Sequence, residues 1–267
     1  MRGFKKKCVV VTGGASGIGL AIARRFSEAG AGVALLDADE KALPAVEKAF
    51  QRKGRDVLAL SCDVSKKEQC ASAIQEILDH YGGIDVLVNN AGITQRGAFV
   101  DTRVEVFERV MQVNFFGTLY CTKAAIPSLI QRKGMIIVNE SVAALTPLLG
   151  RTGYSASKHA LHGLFASLRT ELIHTGVHVM IVCPGFVHTN LQTRALGCDG
   201  GITKHPQSSV GTHETPEQVA EAVYRGALRE KRLLVLTRVG KISYWIHRFA
   251  PTIYERIMIR QLRDELT

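Results

Sequence analysis

A glycine-rich turn near the start of the chain constrains its fold more than any other segment. The turn spans residues 12–19, reads TGGASGIG, and directly follows an apolar run that begins at Cys8. A helical pattern begins at Gly17 and continues to about Ala29. A glycine turn between a buried strand and a helix is the setting in which backbone N–H groups bind a dinucleotide pyrophosphate. We therefore predict a strand–turn–helix unit that opens a nucleotide-binding domain.

The glycines of this turn have separate predicted roles. Gly13 allows a tight exit from the strand, whereas Gly17 and Gly19 let the backbone approach a pyrophosphate and let the helix pack on the sheet. Ser16 and Ile18 lie in the same turn and complete this part of the predicted cofactor site. The spacing G-x-x-x-G-x-G differs from G-x-G-x-x-G, so the turn alone leaves a purely structural role open.

Short apolar runs alternate with helical segments along most of the chain. After the first run, further runs lie at residues 33–36, 57–60, 84–88, 135–138, 177–182 and 233–236. They show no polar alternation, which is typical of strands buried on both faces of a parallel sheet. Alternating strands and helices are connected by right-handed crossovers. We predict an α/β protein with a doubly wound, mostly parallel, seven-stranded sheet, the Rossmann fold.

The chain of 267 residues contains no linker-like tract, so we expect one domain with a C-terminal extension. The NAD-binding catalytic domain is predicted to cover residues 1–240, and an amphipathic helical extension residues 241–267. Because residues 190–213 are rich in Gly, Ser and Thr, a substrate lid is expected over about residues 186–215. A capping box at Thr215 then predicts the start of another helix.

Asp37 at the end of the second predicted strand indicates which cofactor binds. It lies eighteen positions after Gly19. A carboxylate at this place accepts hydrogen bonds from the adenosine ribose hydroxyls and repels a 2′-phosphate. Neither Ser16 nor Ala38 offers a cation for such a phosphate. We predict NAD(H) rather than NADP(H), and a capping or turn role for Asp37 stays open.

Two further strand ends are expected to meet the cofactor. Asp63 and Val64 follow the third predicted strand and should lie beside the adenine. Asn90, Ala91 and Gly92 follow the fourth strand, where small residues let the chain pass a ribose. Open α/β sheets bind ligands outside the carboxyl ends of their strands, so these segments should converge.

Tyr154 and Lys158 form a candidate acid/base pair. They are four residues apart, so on a helix they share one face. A free tyrosine has a pKa of about 10, and a nearby ammonium lowers this pKa because it favours the phenolate. Any helix can contain the pattern Tyr-x-x-x-Lys, but here Ser141 follows the fifth predicted strand and Asn114 lies in the sequence QVNFFG.

The sequence resembles the short-chain dehydrogenase/reductase family, in particular its hydroxysteroid and retinol dehydrogenase branch. The resemblance covers about residues 8–190, and each of its motifs alone is weak, whereas the ordered set is specific. The matching motifs are TGGASGIG at 12–19, NNAG at 89–92, Asn114, Ser141, YSASK at 154–158 and PG at 184–185.

The resemblance implies catalytic and cofactor roles. Tyr154 exchanges a proton with the substrate oxygen, and Ser141 hydrogen-bonds that oxygen. Lys158 lowers the tyrosine pKa and binds the nicotinamide ribose, and Asn114 holds a water that links Lys158 to solvent. The implied cofactor contacts also include Asn90, Gly92, Pro184, Gly185, Val187 and Thr189.

These roles imply an NAD-dependent oxidoreductase that interconverts a secondary alcohol and a ketone by hydride transfer. Apolar residues favour a lipophilic, steroid-like substrate, although the same leucines also fit core or interface packing. They are Phe186, Leu191 and Leu196 in the lid and Leu145, Leu148 and Leu149 after Ser141. A small polar alcohol or polyol as substrate, and a non-catalytic NAD-sensing regulator, remain alternatives.

The net charge of +10 is concentrated near the C-terminus. From Tyr224 onward there are ten Lys and Arg residues against four acidic ones. No nucleic-acid motif accompanies them, so we expect no nucleic-acid partner. Residues 242–262 mix basic with aromatic and apolar residues, and Pro251 divides them into two helical pieces. Such a segment fits a membrane interface, a cover over the substrate mouth or a subunit contact.

Six cysteines show neither a CxxC pair nor metal-ligand spacing, so we expect free thiols, a reducing compartment and no metal site. No apolar stretch reaches the length of a membrane span or a signal-peptide core. We expect a cytoplasmic protein, with peripheral membrane contact left open. The family resemblance implies a homodimer or homotetramer acting on a small-molecule alcohol or ketone.

Overall fold

The computed structural model describes residues 3–203, 211 and 213–265. Within these residues, seven strands form one sheet, and every neighbouring pair is parallel. The strands are β1 (Cys8–Thr12), β2 (Gly32–Asp37), β3 (Val57–Ser61), β4 (Val86–Asn89), β5 (Met135–Asn139), β6 (His178–Cys183) and β7 (Leu233–Val235). Their order is β3-β2-β1-β4-β5-β6-β7, which confirms the predicted doubly wound sheet.

Helices cover both faces of this sheet and extend beyond it at the C-terminus. They are α1 (Gly17–Glu28), α2 (Leu43–Gln51), α3 (Lys67–Tyr81), α4 (Val104–Met111), α5 (Thr118–Gln131), α6 (Thr152–Glu171), α7 (Asn190–Thr193), α8 (Pro216–Leu228), α9 (Arg238–Phe249) and α10 (Pro251–Leu262). A π-helical segment, Gln112–Gly117, joins α4 to α5.

The two faces of the sheet explain why its strands are unbroken apolar runs. In β1, Val10 packs into a core cluster that includes side chains of α3, α5 and α6. Val9 and Val11 point to the opposite face, where they pack with residues of α1 and α8. Each apolar side chain is thus removed from water whichever way it points, and this burial is the main stabilising contribution.

One helix start differs from the sequence-based one. α2 begins at Leu43 rather than near Glu40, because Asp39 first closes a turn by accepting a hydrogen bond from the N–H of Ala42 (3.2 Å). Short polar side chains that bond nearby backbone groups compete with the helix in this way.

The expected lid is only partly covered by the structure, since residues 204–210 and 212 lie outside the described residues. The described part includes the short helix α7. At Thr215 the predicted capping box is confirmed: its hydroxyl accepts a bond from the N–H of Gln218 (3.2 Å), and the Gln218 side chain accepts one from the N–H of Thr215 (2.9 Å).

The C-terminal segment divides at Pro251 into α9 and α10, as its sequence predicts. Across the described ranges, none of the helices combines the length and the apolar character needed to cross a bilayer. The six cysteines are free thiols, and all except Cys198 are buried.

Candidate active site

A cavity of about 1020 Å³ opens at the carboxyl ends of the strands. Open α/β sheets bind ligands at this edge, next to the point where the strand order reverses. Ser141 and most of the predicted cofactor residues line the cavity. The latter are Gly13, Ser16, Gly17, Ile18, Asp37, Asp63, Val64, Asn90, Ala91, Gly92, Tyr154, Lys158, Pro184, Gly185, Val187 and Thr189.

The turn after β1 needs glycine at two positions. Gly13 (φ +64°) and Gly17 (φ +53°) adopt left-handed backbone conformations, which are costly for residues with a Cβ atom. The N–H of Gly13 donates to the carbonyl oxygen of Leu36 (2.7 Å), which closes the turn against β2. The N-terminus of α1 therefore lies at the cavity wall, where the helix dipole and free N–H groups favour an anion such as a pyrophosphate.

Gly19 has a packing role and lies outside the residues that line the cavity, so its contact with the cofactor stays a prediction. A Cβ atom at this position would overlap the carbonyl oxygen of Gly13 and lie 2.5 Å from Nδ2 of Asn90. Gly19 thus lets α1 pack directly against the turn and the end of β4.

Side chains brace the ends of β1 and β4 together. Oγ1 of Thr12 accepts hydrogen bonds from the N–H groups of Asn90 (2.9 Å) and Ala91 (3.0 Å). Nδ2 of Asn90 donates to the carbonyl oxygen of Thr12 (2.9 Å), and its Oδ1 accepts a bond from Nδ2 of Asn139 (2.8 Å). Asn90 therefore shapes the cofactor cavity and holds three strand ends in register.

The carboxylate of Asp37 lines the cavity and also holds a turn. Its Oδ2 accepts a bond from the N–H of Ala15 (2.9 Å), and its Oδ1 accepts one from the N–H of Asp39 (3.0 Å). The cofactor and turn roles that the sequence left open are compatible, because a carboxylate has about four acceptor positions. Asp63 likewise combines a place in the cavity wall with a bond from the N–H of Ser65 (3.0 Å).

Helix α6 presents Tyr154 and Lys158 to the cavity from one face. Nζ of Lys158 lies 5.7 Å from the centre of the Tyr154 ring and donates a hydrogen bond to the carbonyl oxygen of Asn139 (3.0 Å). Ser141 lies within hydrogen-bonding reach of Tyr154. Its Oγ also accepts a bond from the N–H of Ala143 (3.1 Å), which fixes the start of a 3-10 turn after β5.

Burial dominates the titration of this pair. It raises the pKa of Tyr154, and the hydrogen bond with Ser141 and the positive charge of Arg151 oppose this shift. The expected lowering of the tyrosine pKa by Lys158 is therefore not what this structure shows. Burial also lowers the pKa of Lys158 to about 8, against the attraction of the Glu140 carboxylate. In both groups burial shifts the equilibrium toward the neutral form, because the charged form loses hydration.

Asn114 is close to this set but does not line the cavity. It is fully buried in the π-helical segment, and such segments occur frequently at functional sites. Its Oδ1 accepts a bond from the N–H of Ile93 (2.8 Å), and its Nδ2 donates to the carbonyl oxygen of Ile93 (3.0 Å) and to Oγ of Ser157 (2.9 Å). The proton relay through Asn114 stays a prediction.

Three of the six apolar residues expected around the substrate line the cavity, namely Leu148, Phe186 and Leu191. The other three, Leu145, Leu149 and Leu196, lie outside its lining. Leu145 packs into the core beneath the sheet. Leu196 instead packs against α4.

The structure adds a substrate-side wall that the sequence left open. Ile246 of α9 and Ile257, Met258 and Leu262 of α10 line the cavity. The C-terminal segment therefore covers one side of the cavity, and its membrane and subunit contacts stay predictions. The outer face of the two helices is exposed, with Trp245, Phe249 and Ile253 among its apolar side chains.

A buried ion pair, which the sequence analysis did not identify, fixes this wall. Nε and Nη2 of Arg151 donate to the two carboxylate oxygens of Glu265 (2.9 and 2.8 Å), and both side chains are almost completely buried. Nη1 of Arg151 donates to Oε1 of Gln192 in α7 (3.2 Å). Two residues 114 positions apart thereby join the start of α6, the short helix α7 and the segment after α10. No local sequence signal marks such a pair.

Comparison with known proteins identifies the family. The family model described as short chain dehydrogenase matches residues 7–196. The chain belongs to the short-chain dehydrogenase family. Its relatives in this family include dehydrogenase/reductase SDR family member 7B from Mus musculus, which is 35% identical over 268 residues, covering 98% of this chain and 83% of that protein. The protein of the same name from Xenopus tropicalis is 37% identical over 265 residues, covering 96% and 86%.

Solved structures of short-chain dehydrogenases show the same fold. A short-chain dehydrogenase/reductase from Burkholderia phymatum, crystallised in complex with NAD, gives a TM-score of 0.85 at 22% identity and covers 95% of this chain and 96% of its own. A dehydrogenase/reductase from Sinorhizobium meliloti 1021 gives a TM-score of 0.76 at 32% identity and covers 87% and 94%.

Proposed function

We propose that this short-chain dehydrogenase interconverts a secondary alcohol and a ketone with NAD(H), using Tyr154 as acid and base. The observation that carries the proposal is the meeting of three groups in one cavity: the phenol of Tyr154, the hydroxyl of Ser141 and the ammonium of Lys158. The same cavity includes the glycine turn at the N-terminus of α1, which suits a pyrophosphate.

Gly13, Gly17 and Asp37 would hold NAD(H), which when bound would supply or accept the hydride. The chain itself handles the proton. In alcohol oxidation the Tyr154 oxygen takes the hydroxyl proton, and in ketone reduction it returns one. Ser141 donates a hydrogen bond to the substrate oxygen and orients it toward the phenol. Lys158, anchored on the carbonyl oxygen of Asn139 (3.0 Å), keeps a positive charge near the phenolate as it forms.

The preference for NAD(H) rests on Asp37. Its carboxylate lines the cavity at the end of β2, where it would bind ribose hydroxyls and repel a 2′-phosphate. The Burkholderia relative of similar fold holds NAD. We expect kcat/KM for NAD⁺ to exceed that for NADP⁺ at least tenfold with the same alcohol. A preference for NADP⁺ would contradict this assignment.

The substrate is proposed to be lipophilic, because the substrate side of the cavity has walls of apolar side chains from Leu148, Phe186, Ile246 and Met258. A screen of NAD⁺ reduction over steroids, retinoids, polyols and simple secondary alcohols tests this class. Turnover confined to polyols would support a small polar substrate. NAD binding without turnover of any of these would support the sensing role.

Replacement of Tyr154 by Phe tests the catalytic assignment. Because only the phenolic oxygen is lost, we expect kcat to fall about 10²- to 10⁴-fold, while NADH affinity changes by less than about threefold. Steady-state kinetics and NADH fluorescence titration measure the two quantities. Tyr224→Phe, in α8 and outside the cavity lining, is the matched control. Near-normal turnover of Tyr154→Phe would refute the role.

We further propose that the outer face of α9 and α10 contacts an anionic membrane surface. Trp245 (55% exposed), Phe249 (75%) and Ile253 (53%) present apolar side chains to solvent. The basic residues Lys241 and Arg248 lie on α9, which also carries Trp245 and Phe249. Their positive charges complement anionic lipid headgroups. A lipophilic substrate would then enter a cavity whose wall these helices form.

Vesicle flotation tests this contact. The full chain should float with vesicles that contain phosphatidylserine and remain below with phosphatidylcholine alone. Trp245→Glu combined with Phe249→Glu should abolish flotation and leave turnover of a soluble substrate unchanged. Equal flotation of the wild type and this variant would rule the surface out. The family resemblance also predicts a homodimer or homotetramer, which sedimentation equilibrium would measure.

A further inference from the structure

A buried carboxylate beside the catalytic groups has no role in the mechanism above. Glu140 directly follows β5 and precedes Ser141, and its side chain has no solvent exposure. Its Oε2 accepts a hydrogen bond from Nδ1 of His162 (3.0 Å). Its Oε1 has no hydrogen-bond partner among the described residues. Burying a carboxylate costs free energy unless it is paired, so the charged groups around Glu140 determine whether it stays ionised.

Two basic side chains of α6 interact with Glu140. Tyr154, Lys158 and His162 follow one another at four-residue intervals, so they occupy one face of the helix. Nζ of Lys158 donates to the carbonyl oxygen of Asn139, the residue immediately before Glu140 (3.0 Å). The His162 side chain is 34% exposed, whereas Lys158 is buried. The carboxylate is thus hydrogen-bonded to an imidazole that reaches solvent, and the buried ammonium is anchored on the residue next to it and attracted by its charge.

The charges around Glu140 support this arrangement. Burial raises its pKa, and the hydrogen bond and charge of His162 and the charge of Lys158 oppose that shift. The same hydrogen bond is the main cause of a raised pKa for His162, and burial and the charge of Arg169 oppose this shift. From β6, the thiol of Cys183 approaches Oε2 (3.9 Å). For Lys158, Glu140 is the main group that opposes loss of the proton.

We propose that Glu140 and His162 form a positioning pair that keeps the buried Lys158 amine protonated and anchored beside Tyr154. The pair acts through Lys158 and exchanges no proton with the substrate. The negative charge of Glu140 balances the positive charge of Lys158. His162, which is partly exposed, connects the buried carboxylate to solvent. This proposal rests on the proposed function, because it assigns a purpose to the ammonium form of Lys158.

Glu140→Gln is the decisive variant, because it keeps the side-chain size and can still bond His162, but removes the charge. In ketone reduction at saturating NADH, we expect the alkaline limb of the pH profile of kcat/KM to move at least about one pH unit lower. On that limb turnover falls about tenfold at a given pH, because one unit changes the protonated fraction tenfold. Glu140→Asp restores the charge and should return the limb toward its wild-type position.

Two histidines on α6 provide a matched comparison. His162→Gln should shift the limb in the same direction by a smaller amount. His159→Gln should leave it unchanged, because His159 is exposed and its Nδ1 is bonded to the carbonyl oxygen of Ser155 in its own helix (2.9 Å). A role limited to packing would predict similar pH profiles for Glu140→Gln and Glu140→Asp.

A second readout does not require turnover. NMR titration of isotope-labelled histidine should show the His162 pKa above its ordinary value in the wild type, and a drop in Glu140→Gln. If Glu140→Gln is active with a wild-type pH profile, the pair has no positioning role and the proposed function stands. If the wild type has no oxidoreductase activity, the proposed function fails, and an unchanged His162 titration in Glu140→Gln would separately overturn the pair.

Discussion

The cofactor side and the substrate side of the cavity are built by different means. On the cofactor side, glycine conformations and backbone hydrogen bonds shape the wall, as in the bond from Gly13 to Leu36 and the bonds that Thr12 accepts. The substrate side instead buries ionisable side chains, among them Lys158, Arg151 and Glu265. The cofactor side therefore depends on backbone geometry, whereas the substrate side depends on charged partners that are distant in the sequence.

This difference affects both stability and regulation. Backbone hydrogen bonds contribute similarly at any ordinary pH, because amides do not titrate. Buried charges lose hydration and are tolerated only with their partners in place. We therefore expect the substrate side to respond strongly to pH and to loss of single charges, and the cofactor side to respond to added volume.

The largest expected effect is at the buried pair of the substrate side. Glu265→Gln leaves the Arg151 guanidinium buried without its carboxylate, which should cost about 3–5 kcal/mol. Chemical denaturation measures the loss, and hydrogen exchange should show faster exchange in α10. The control is Glu105→Gln, which breaks the exposed pair with Arg103 (3.3 Å) and should cause a far smaller loss, because solvent screens this pair. Equal losses would remove the contrast between buried and exposed pairs.

Next in size is a pH effect at Lys158. Burial lowers its pKa from 10.5 to about 8, so between these values the unfolded chain binds a proton that the folded chain has lost. Stability of the wild type relative to Lys158→Met should therefore rise with pH across this window, by up to about 3 kcal/mol. Denaturation at pH 7.5 and at pH 10 measures the change. A constant difference would mean that the buried amine keeps an ordinary pKa.

On the cofactor side, Gly19→Ala should cost about 1–3 kcal/mol, because the new methyl group overlaps the carbonyl oxygen of Gly13. NADH affinity should fall about tenfold as the turn shifts. Gly163→Ala in α6 is the matched control, since a Cβ atom there meets nothing within 4 Å. That change should be neutral or slightly stabilising. Undiminished NADH binding by Gly19→Ala would show that the turn tolerates displacement.

The smallest expected effect concerns the contact between α10 and the segment after β5. The hydroxyl of Tyr254 lies 3.1 Å from Oγ1 of Thr146 and 3.0 Å from the carbonyl oxygen of Pro147. Tyr254→Phe should therefore cost about 1 kcal/mol and loosen the substrate wall. Thermal unfolding and the KM for a lipophilic substrate measure the two effects. Tyr244→Phe in α9 is the control, and equal changes in both variants would count against this contact.

The contrast between the two sides also explains what the sequence could predict. The strands, the glycine turn and the Tyr154–Lys158 pair are local patterns, and the structure confirms that they share one cavity. The motifs at strand ends converge because parallel strands end at the same edge of a sheet. At Gly19 the structure shows the packing role, whereas the cofactor contact stays a prediction, because both roles require glycine and leave the same signal in the sequence.

The substrate side was less predictable because its contacts join distant residues. Nothing near Arg151 in the sequence indicates Glu265 as its partner. Leu145 and Leu196 are apolar, as pocket residues often are, but Leu145 packs in the core and Leu196 packs against α4. For the C-terminal segment, amphipathicity fits a cover, an interface or a membrane surface equally well, and only the tertiary structure shows that its inner side chains line the cavity.

The cavity wall has one further consequence, for optical spectroscopy. The chain has a single tryptophan, Trp245, which lies on α9 and stacks on Phe249 with ring centres 5.7 Å apart. Its indole emission therefore originates from the outer side of the substrate wall and from nowhere else in the protein. Emission wavelength and quenching would follow the environment of this wall in the native chain, without a dye or an added label.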